Sequence, residues 1–235
     1  MFCALLLTGW ISCFMKVREL LGEPLRAHNL AEGDALKKAV REMAGMVGLS
    51  DEQLDRYPHQ FSGGQRQRIS IGRALISRPK LILADEPVSA LDFSIQAQIL
   101  NLLGELQETL GLTMLFISHD LNMVRHISRQ IIVMYLGRVM ESGPTETVFQ
   151  NPAHPYTKVL MDSVPGLDPD VKKERRLLSG DVLSVAQKPE GCPFAARCIN
   201  VFDKCKNAVP KETDLGDGHK ISCFLIDEKS EAART

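Results

Sequence analysis

The chain reads as an α/β protein built on a parallel sheet, and three observations carry that prediction. Lys80–Ala84, after Pro79, is a continuous run of strand length whose texture suits a strand buried on both faces. Ile95, Ile99, Leu102, Leu103, Leu106 and Leu110 then recur at helical spacing until Gly111 stops them. Leu112–Ser118 is a second strand-like run. A strand–helix–strand alternation is the pattern of parallel pairing with a crossover helix.

Composition agrees with a folded globular chain of 235 residues, 44 % hydrophobic and 6 % aromatic. The 28 Lys and Arg against 29 Asp and Glu leave a net charge of -1, which lacks the electrostatic footprint of a nucleic-acid binder and the charge excess of a disordered chain. No apolar run reaches the roughly 18 residues a membrane span requires.

The elements follow in order. Met1–Phe14 is an apolar leader that resembles a signal-peptide core but has no basic start and no small-residue cleavage site. Residues 16–60 read as helical, with Ala35, Leu36, Ala39, Val40, Met43 and Val47 on one apolar face. Ser50 with Gln53, and again Ser62 with Gln65, have the S-x-x-Q spacing of a capping box. After the two strands and their helix, Ile131–Tyr135 and Arg138–Glu141 flank Leu136-Gly137 as a hairpin. Beyond about Gln150 the chain turns Pro-rich and charged, with no long periodic segment.

Three constellations carry candidate chemistry. In Phe61-Ser62-Gly63-Gly64-Gln65-Arg66-Gln67-Arg68, two glycines allow close approach of a ligand, and a helix N-terminus offers amides to an anion. A glycine-containing helix entry without a ligand is the alternative. In Leu81-Ile82-Leu83-Ala84-Asp85-Glu86-Pro87, two carboxylates end a strand where open α/β sheets bind ligands. Asp85 suits Mg²⁺, a hard cation, and Glu86 suits orienting or activating a water; a solvated acidic turn is the alternative. Ile117-Ser118-His119-Asp120 ends the next strand with a histidine placed to meet a phosphate or a water, or to serve the fold. Ser89-Ala90-Leu91-Asp92 adds a hydroxyl and a carboxylate beyond the acidic pair.

In this order the motifs resemble the ATP-binding subunits of ABC transporters: a signature motif, a Walker B strand with its glutamate, a D-loop and a switch histidine. The resemblance covers about residues 15–150. It implies that Ser62, Gly63, Gly64 and Gln65 cover the γ-phosphate of ATP bound mainly by a partner subunit. It also implies that Asp85 helps hold Mg²⁺, Glu86 polarises water, His119 contacts the γ-phosphate, and Asp92 supports communication across a dimer. Glu86–Gln98 and Asn151-Pro152-Ala153-His154-Pro155-Tyr156-Thr157 are similar to the oligopeptide/dipeptide (and nickel) importer ATPases, with Val88-Ser89 leaning toward the second of two paired ATPases. Phe93 stands where a valine is more usual, and Ser128-Arg129-Gln130 where an Asp-Arg pair is expected. The partners implied are a second ATPase subunit, identical or not, two transmembrane permease subunits and, indirectly, a substrate-binding protein. The place implied is peripheral, at the cytoplasmic face of the inner membrane.

Six cysteines are unevenly distributed, with Cys3 and Cys13 in the leader and Cys192, Cys198, Cys205 and Cys223 in the tail. The tail spacing does not fit the paired C-x2-C of a zinc ribbon. Four thiolates suit a soft metal or an iron–sulfur cluster, and free buried thiols are the alternative. The resemblance to this importer subfamily implies a 4Fe–4S cluster.

No G-x4-G-K-S/T phosphate loop occurs in the sequence, and no Gln precedes Gln53. The expected organisation is therefore a leader at 1–14 that marks a truncation or frameshift junction, then a partial P-loop NTPase-like ABC domain at 15–150. That domain has a helical signature subdomain at about 15–78 and a catalytic sheet part at about 79–150, without the N-terminal strands. An irregular Cys-containing extension follows at 151–235. The expected activity is ATP hydrolysis coupled to peptide import, with little turnover from the chain alone and marginal stability. A catalytically defective remnant or regulatory subunit that completes only a partner's site is the alternative, and a non-transport ABC ATPase a further one.

Overall fold

The computed structural model describes residues 3–7, 14–163 and 190–226. The chain forms two compact units that divide between Met123 and Val124.

The first unit begins with strand β1 (Cys3–Leu7), helix α1 (Val17–Ala27) and helix α2 (Gly33–Met46). Val17, Leu20, Leu21 and Leu25 of α1 are buried, as are Val40, Met43 and Ala44 of α2, so two stripes from the apolar periodicity face a common core. Ala35, expected on that stripe, is exposed in the first turn of α2. A 3-10 turn at Asp51–Asp55 opens with the Ser50–Gln53 box, in which the Ser50 N–H donates to Gln53 Oε1 at 2.9 Å. The Arg56 carbonyl then accepts the Val17 N–H at 3.0 Å, and Arg18 pairs with Asp55, closing the turn onto the start of α1. Helix α3 (Gly63–Leu75) packs into this group through Ile69, Ile71 and Leu75.

Strand β2 (Leu81–Asp85), helix α4 (Phe93–Leu110) and strand β3 (Thr113–Ile117) form the expected alternation. Helix α4 ends where Gly111 adopts the left-handed conformation, φ 62°. It buries Ile99, Leu100, Leu102, Leu103 and Leu106, each contributing roughly 1.5–3 kcal/mol of apolar burial. The sheet order is β1-β2-β3, all parallel, with Leu7 opposite Asp85 and Asp85 opposite Ile117.

Two expectations change here. Cys3–Leu7, read as part of a leader outside the fold, is a strand of the sheet; residues 1–2 and 8–13 of that stretch lie outside the described residues. An apolar run has the same signature whether it is a leader or a buried strand, and only the available edge of β2 distinguishes them. Burial on both faces also fails. In β2, Ile82 and Ala84 are buried while Leu81 and Leu83 on the opposite face are only half-buried, and in the neighbouring β3 Leu115 and Ile117 are 50 % and 44 % exposed. The described residues cover one face of the sheet only.

Helix α5 (Leu121–Ile127) spans the division. The second unit contains the hairpin of β4 (Gln130–Tyr135) and β5 (Arg138–Pro144), turning at Leu136 (φ 46°) and Gly137 (φ 74°), the paired positive angles of a tight hairpin turn. Helices α6 (Thr145–Gln150), α7 (Pro155–Ser163) and α8 (Asp203–Asn207) follow, with the short strands β6 (Thr213–Asp214) and β7 (Lys220–Ile221). The sheet order is β4-β5-β7-β6, antiparallel throughout.

A boundary near residue 150 therefore does not match the compact units. Glu141 and Ser142 of β5 pair with Ile221 and Lys220, so the hairpin belongs with the tail and not with the parallel sheet. Nor is the tail irregular throughout, because β6 and β7 extend the hairpin sheet.

Candidate functional site

Ser62 caps α3 from an extended conformation, φ -65° and ψ 164°. Its Oγ accepts the Gln65 N–H at 3.4 Å, and its own N–H donates to Gln65 Oε1 at 3.1 Å, the reciprocal box expected from S-x-x-Q. The glycines have a use that sequence reasoning did not find. A Cβ on Gly64 would lie 2.6 Å from Ile95 Cγ2, so the missing side chain lets the start of α3 close on α4. The two nearby arginines support the fold. Arg66 donates to the Phe61 carbonyl at 2.7 Å and Arg68 to the Val47 carbonyl at 2.9 Å.

The acidic pair ends β2 as expected. Asp85 is exposed in register with Ile117, and Glu86 leaves the strand with φ 43°, a left-handed conformation costly for a residue with a Cβ. What holds it is the hydrogen bond from its N–H to the Ile117 carbonyl at 2.9 Å. The bend directs the Glu86 carboxylate to His119, whose Nδ1 is 2.8 Å from Oε1. Ser118 Oγ accepts the Asp120 N–H at 3.0 Å, and Asp120 Oδ1 accepts the N–H groups of Asn122 and Met123 at 2.9 and 3.3 Å. Asp120 thus caps α5 while His119 remains open to solvent.

The turn from Glu86 to Asp92 is braced by a residue that motif reading passed over. Gln96, one turn into α4, reaches back with Nε2 to the Val88 and Leu91 carbonyls at 3.2 and 2.9 Å, and Ser89 Oγ donates to the Glu86 carbonyl at 3.2 Å. Asp92 is the N-cap of α4 by its backbone, which accepts from Ile95 and Gln96 at 2.9 Å each, and its carboxylate makes no capping hydrogen bond. The structure thus joins Glu86 to His119, and sets Ser62–Gln65 against the helix that follows Asp92.

In the second unit Cys192, Cys198, Cys205 and Cys223 are free thiols that line one cavity, together with His154, Phe194 and Phe224. Gly191 permits this, since a Cβ there would lie 2.3 Å from the Cys205 carbonyl, and Cys192 N–H donates to that carbonyl at 2.8 Å. Burial pushes the Cys192 and Cys198 thiols up and Cys223 up to about 11, partly opposed by N–H groups of Phe194, Asn200 and Leu225 bonded to the sulfurs. Among the described residues no group of three or more His, Cys, Asp or Glu side chains is placed to hold a metal ion.

Beside that cavity lies a buried carboxylate that sequence reasoning missed. Glu141, fully buried in β5, accepts the Ala153 N–H at 2.8 Å, the His154 N–H at 2.9 Å and the His219 Nε2 proton at 2.7 Å. It fastens the His-Pro-Tyr-Thr stretch and the β6–β7 turn to the hairpin. The signal was a single charge inside a strand. His154 is buried too, its pKa lowered to about 4 by loss of solvent, with the Glu141 charge acting in the opposite direction.

The comparisons with known proteins agree with this architecture. Residues 12–89 match the ABC transporter family model, and residues 140–205 match the model for the oligopeptide/dipeptide transporter C-terminal region. The chain is 46 % identical over 219 residues to the dipeptide transport ATP-binding protein DppF of Escherichia coli (strain K12), covering 93 % of the chain and 65 % of that protein. It is 48 % identical over 212 residues to DppF of Haemophilus influenzae, covering 90 % and 65 %, and 48 % identical over 214 residues to the putative oligopeptide transport ATP-binding protein YkfD of Bacillus subtilis, covering 90 % and 65 %. The chain therefore spans just under two thirds of the length of these relatives. Among solved structures, the dimeric ATP-binding cassette MJ0796 in a post-hydrolysis state with ADP and Pi aligns with TM-score 0.53 and 30 % identity, over 61 % of this chain and 62 % of that one. Among the described residues no helix is long and apolar enough to cross a membrane. With an ABC transporter match in its first part and the oligopeptide/dipeptide transporter C-terminal region in its second, the chain is homologous to the ATP-binding proteins of ABC transporters.

Proposed function

We propose that this chain is an ATP-binding subunit of a peptide importer, with its hydrolytic groups at the ends of β2 and β3. The observation that carries this reading is the 2.8 Å contact of Glu86 with His119. A carboxylate and an imidazole held together beyond adjacent parallel strands can orient one water against one phosphoryl group. In this reading Glu86 takes or orients the attacking water, and His119 positions that carboxylate and meets the γ-phosphate. Asp85, beside them, is the oxygen ligand for Mg²⁺, which neutralises phosphate charge when bound.

Ser62–Gln65 present the capped start of α3 to a nucleotide held by a second ATPase subunit, and Asp92 faces the same partner. The dimeric state of the solved relative supports this arrangement. The remaining partners are two permease subunits that carry the membrane spans, with a substrate-binding protein beyond them, which would place the chain at the cytoplasmic face of the membrane. A second reading rests on one observation: these 235 residues include no G-x4-G-K-S/T stretch. The phosphate loop that serves Asp85 and Glu86 then lies outside them, and the chain's own contribution is to complete a partner's site.

For the tail, we read the four thiols as ligands of a 4Fe–4S cluster, which supplies a one-electron redox centre when bound. Four sulfurs on one cavity, with backbone N–H groups aimed at them, are the donor set such a cluster takes.

The test is ATP hydrolysis by the chain with and without a paired dipeptide-type ATPase subunit. The expected result is no turnover from the 235-residue chain alone, and turnover of the pair that depends on Ser62. Turnover by the chain alone that Glu86→Gln abolishes would overturn the second reading, and a pair indifferent to Ser62→Arg would overturn both.

A further inference from the structure

The proposed ATP chemistry makes no use of the His-Pro-Tyr-Thr stretch, yet its histidine is 1 % exposed. We propose that His154 is the hydrogen-bond donor of the thiol cavity, its Nε2–H directed at sulfur of the group held by Cys192, Cys198, Cys205 and Cys223, where it sets the reduction potential of that group. The inference rests on the cluster reading given above.

Three observations lead to it. His154 lines the cavity with all four thiols, and among the lining residues it is the buried polar side chain that is not a thiol, Asn200 being exposed and the others apolar. Its tautomer is fixed, because Nδ1 accepts the Tyr156 N–H at 3.0 Å, so a neutral ring carries its proton on Nε2. Its orientation is fixed as well. Its backbone N–H is held by Glu141 at 2.9 Å, and its ring meets Phe194 edge-on with centroids 5.9 Å apart. A buried N–H is costly unless it finds an acceptor, and a metal-bound sulfur is a good one. Reduction adds negative charge to that sulfur, so the donor favours the reduced form and raises the potential. Glu141 acts through His154 and is a positioning residue.

The experiment loads the full chain anaerobically with ferrous iron and sulfide. Iron content is measured first, then the midpoint potential by dithionite titration, for the wild type, His154→Leu and His154→Gln. At equal iron content, His154→Leu is expected to shift the potential downward and His154→Gln, which retains an amide donor near the Nε2 position, to restore it toward wild type. Equal potentials for wild type and His154→Leu would overturn the inference. Should the variants fail to fold, pulsed EPR of the reduced wild type labelled with ¹⁵N-histidine decides it: a weak ¹⁵N coupling is expected, and its absence sinks the proposal. A wild type that takes up no iron removes the cluster reading and this inference together, and the iron analysis separates that failure from an unshifted potential.

Discussion

His119 Nδ1 lies 2.8 Å from Glu86 Oε1, although the two residues are 33 positions apart. The contact exists because β2 and β3 are parallel neighbours in register, Asp85 opposite Ile117, and because Glu86 leaves its strand with φ 43°. Both side chains are substantially solvent-accessible, 46 % for Glu86 and 76 % for His119, so the pair adds little to stability and is available to a ligand. In the assembled pair of ATPase subunits, Glu86→Gln and His119→Ala are each expected to slow phosphate release by about 100-fold or more while nucleotide binding persists. Single-turnover phosphate release beside equilibrium nucleotide binding checks this. Full turnover in His119→Ala would count against the pairing.

Gly64→Ala should loosen the start of α3. Its new Cβ would sit 2.6 Å from Ile95 Cγ2, whereas on Gly63 it would meet only the flexible Leu91 Cδ2 at 3.2 Å. The expected cost is about 1–3 kcal/mol for Gly64→Ala and less for Gly63→Ala. Adding Ile95→Ala should recover part of it. Urea denaturation of the three variants gives the ranking.

Glu141→Ala should destabilise the second unit by about 3–5 kcal/mol, the range for removing one partner of a buried charged network. It would strand the N–H groups of Ala153 and His154 and the His219 ring. Glu141→Gln keeps one acceptor oxygen and should cost less. Denaturant midpoints followed by circular dichroism separate the two.

Stability should also depend on pH through His154. Its pKa falls from 6.5 to about 4 on folding, so the unfolded chain takes up its proton first. The contribution is whole above pH 6.5 and is lost as pH falls toward about 4, on the order of 3 kcal/mol in all. Denaturation of the metal-free chain across this window tests it, and His154→Gln should flatten the profile.

Cys223 should be a slow nucleophile in the metal-free chain. With its thiol pushed up to about 11, its thiolate fraction at pH 8 is on the order of 100-fold below that of an ordinary cysteine. Timed iodoacetamide labelling with peptide mass analysis reads this directly, and denaturant should restore the ordinary rate.

Much of the fold was legible because it is written in short periods. The Ser50–Gln53 and Ser62–Gln65 boxes, the α4 stripe ending at Gly111, and the hairpin at Leu136-Gly137 each depend on residues within a few positions of one another. The candidate site was legible as an order of motifs, but Gln96 was not, since one glutamine at a helix start has no signature until its amide is seen reaching the Val88 and Leu91 carbonyls. The apolar start of the chain was misread for the same reason: only a partner strand shows that Cys3–Leu7 belongs to a sheet.

From sequence alone came the α/β alternation, the helix ends, the resemblance carried by ordered motifs, and the gathering of cysteines in the tail. These rest on local conformational preference and on chemistry that neighbours along the chain decide together. Tertiary structure alone decided that Glu86 meets His119, that Gly64 makes room for Ile95, and that Glu141 holds His154 beside four thiols. Each of those contacts joins residues far apart in the chain, and their approach is set by strand register and packed volume, which no local period encodes.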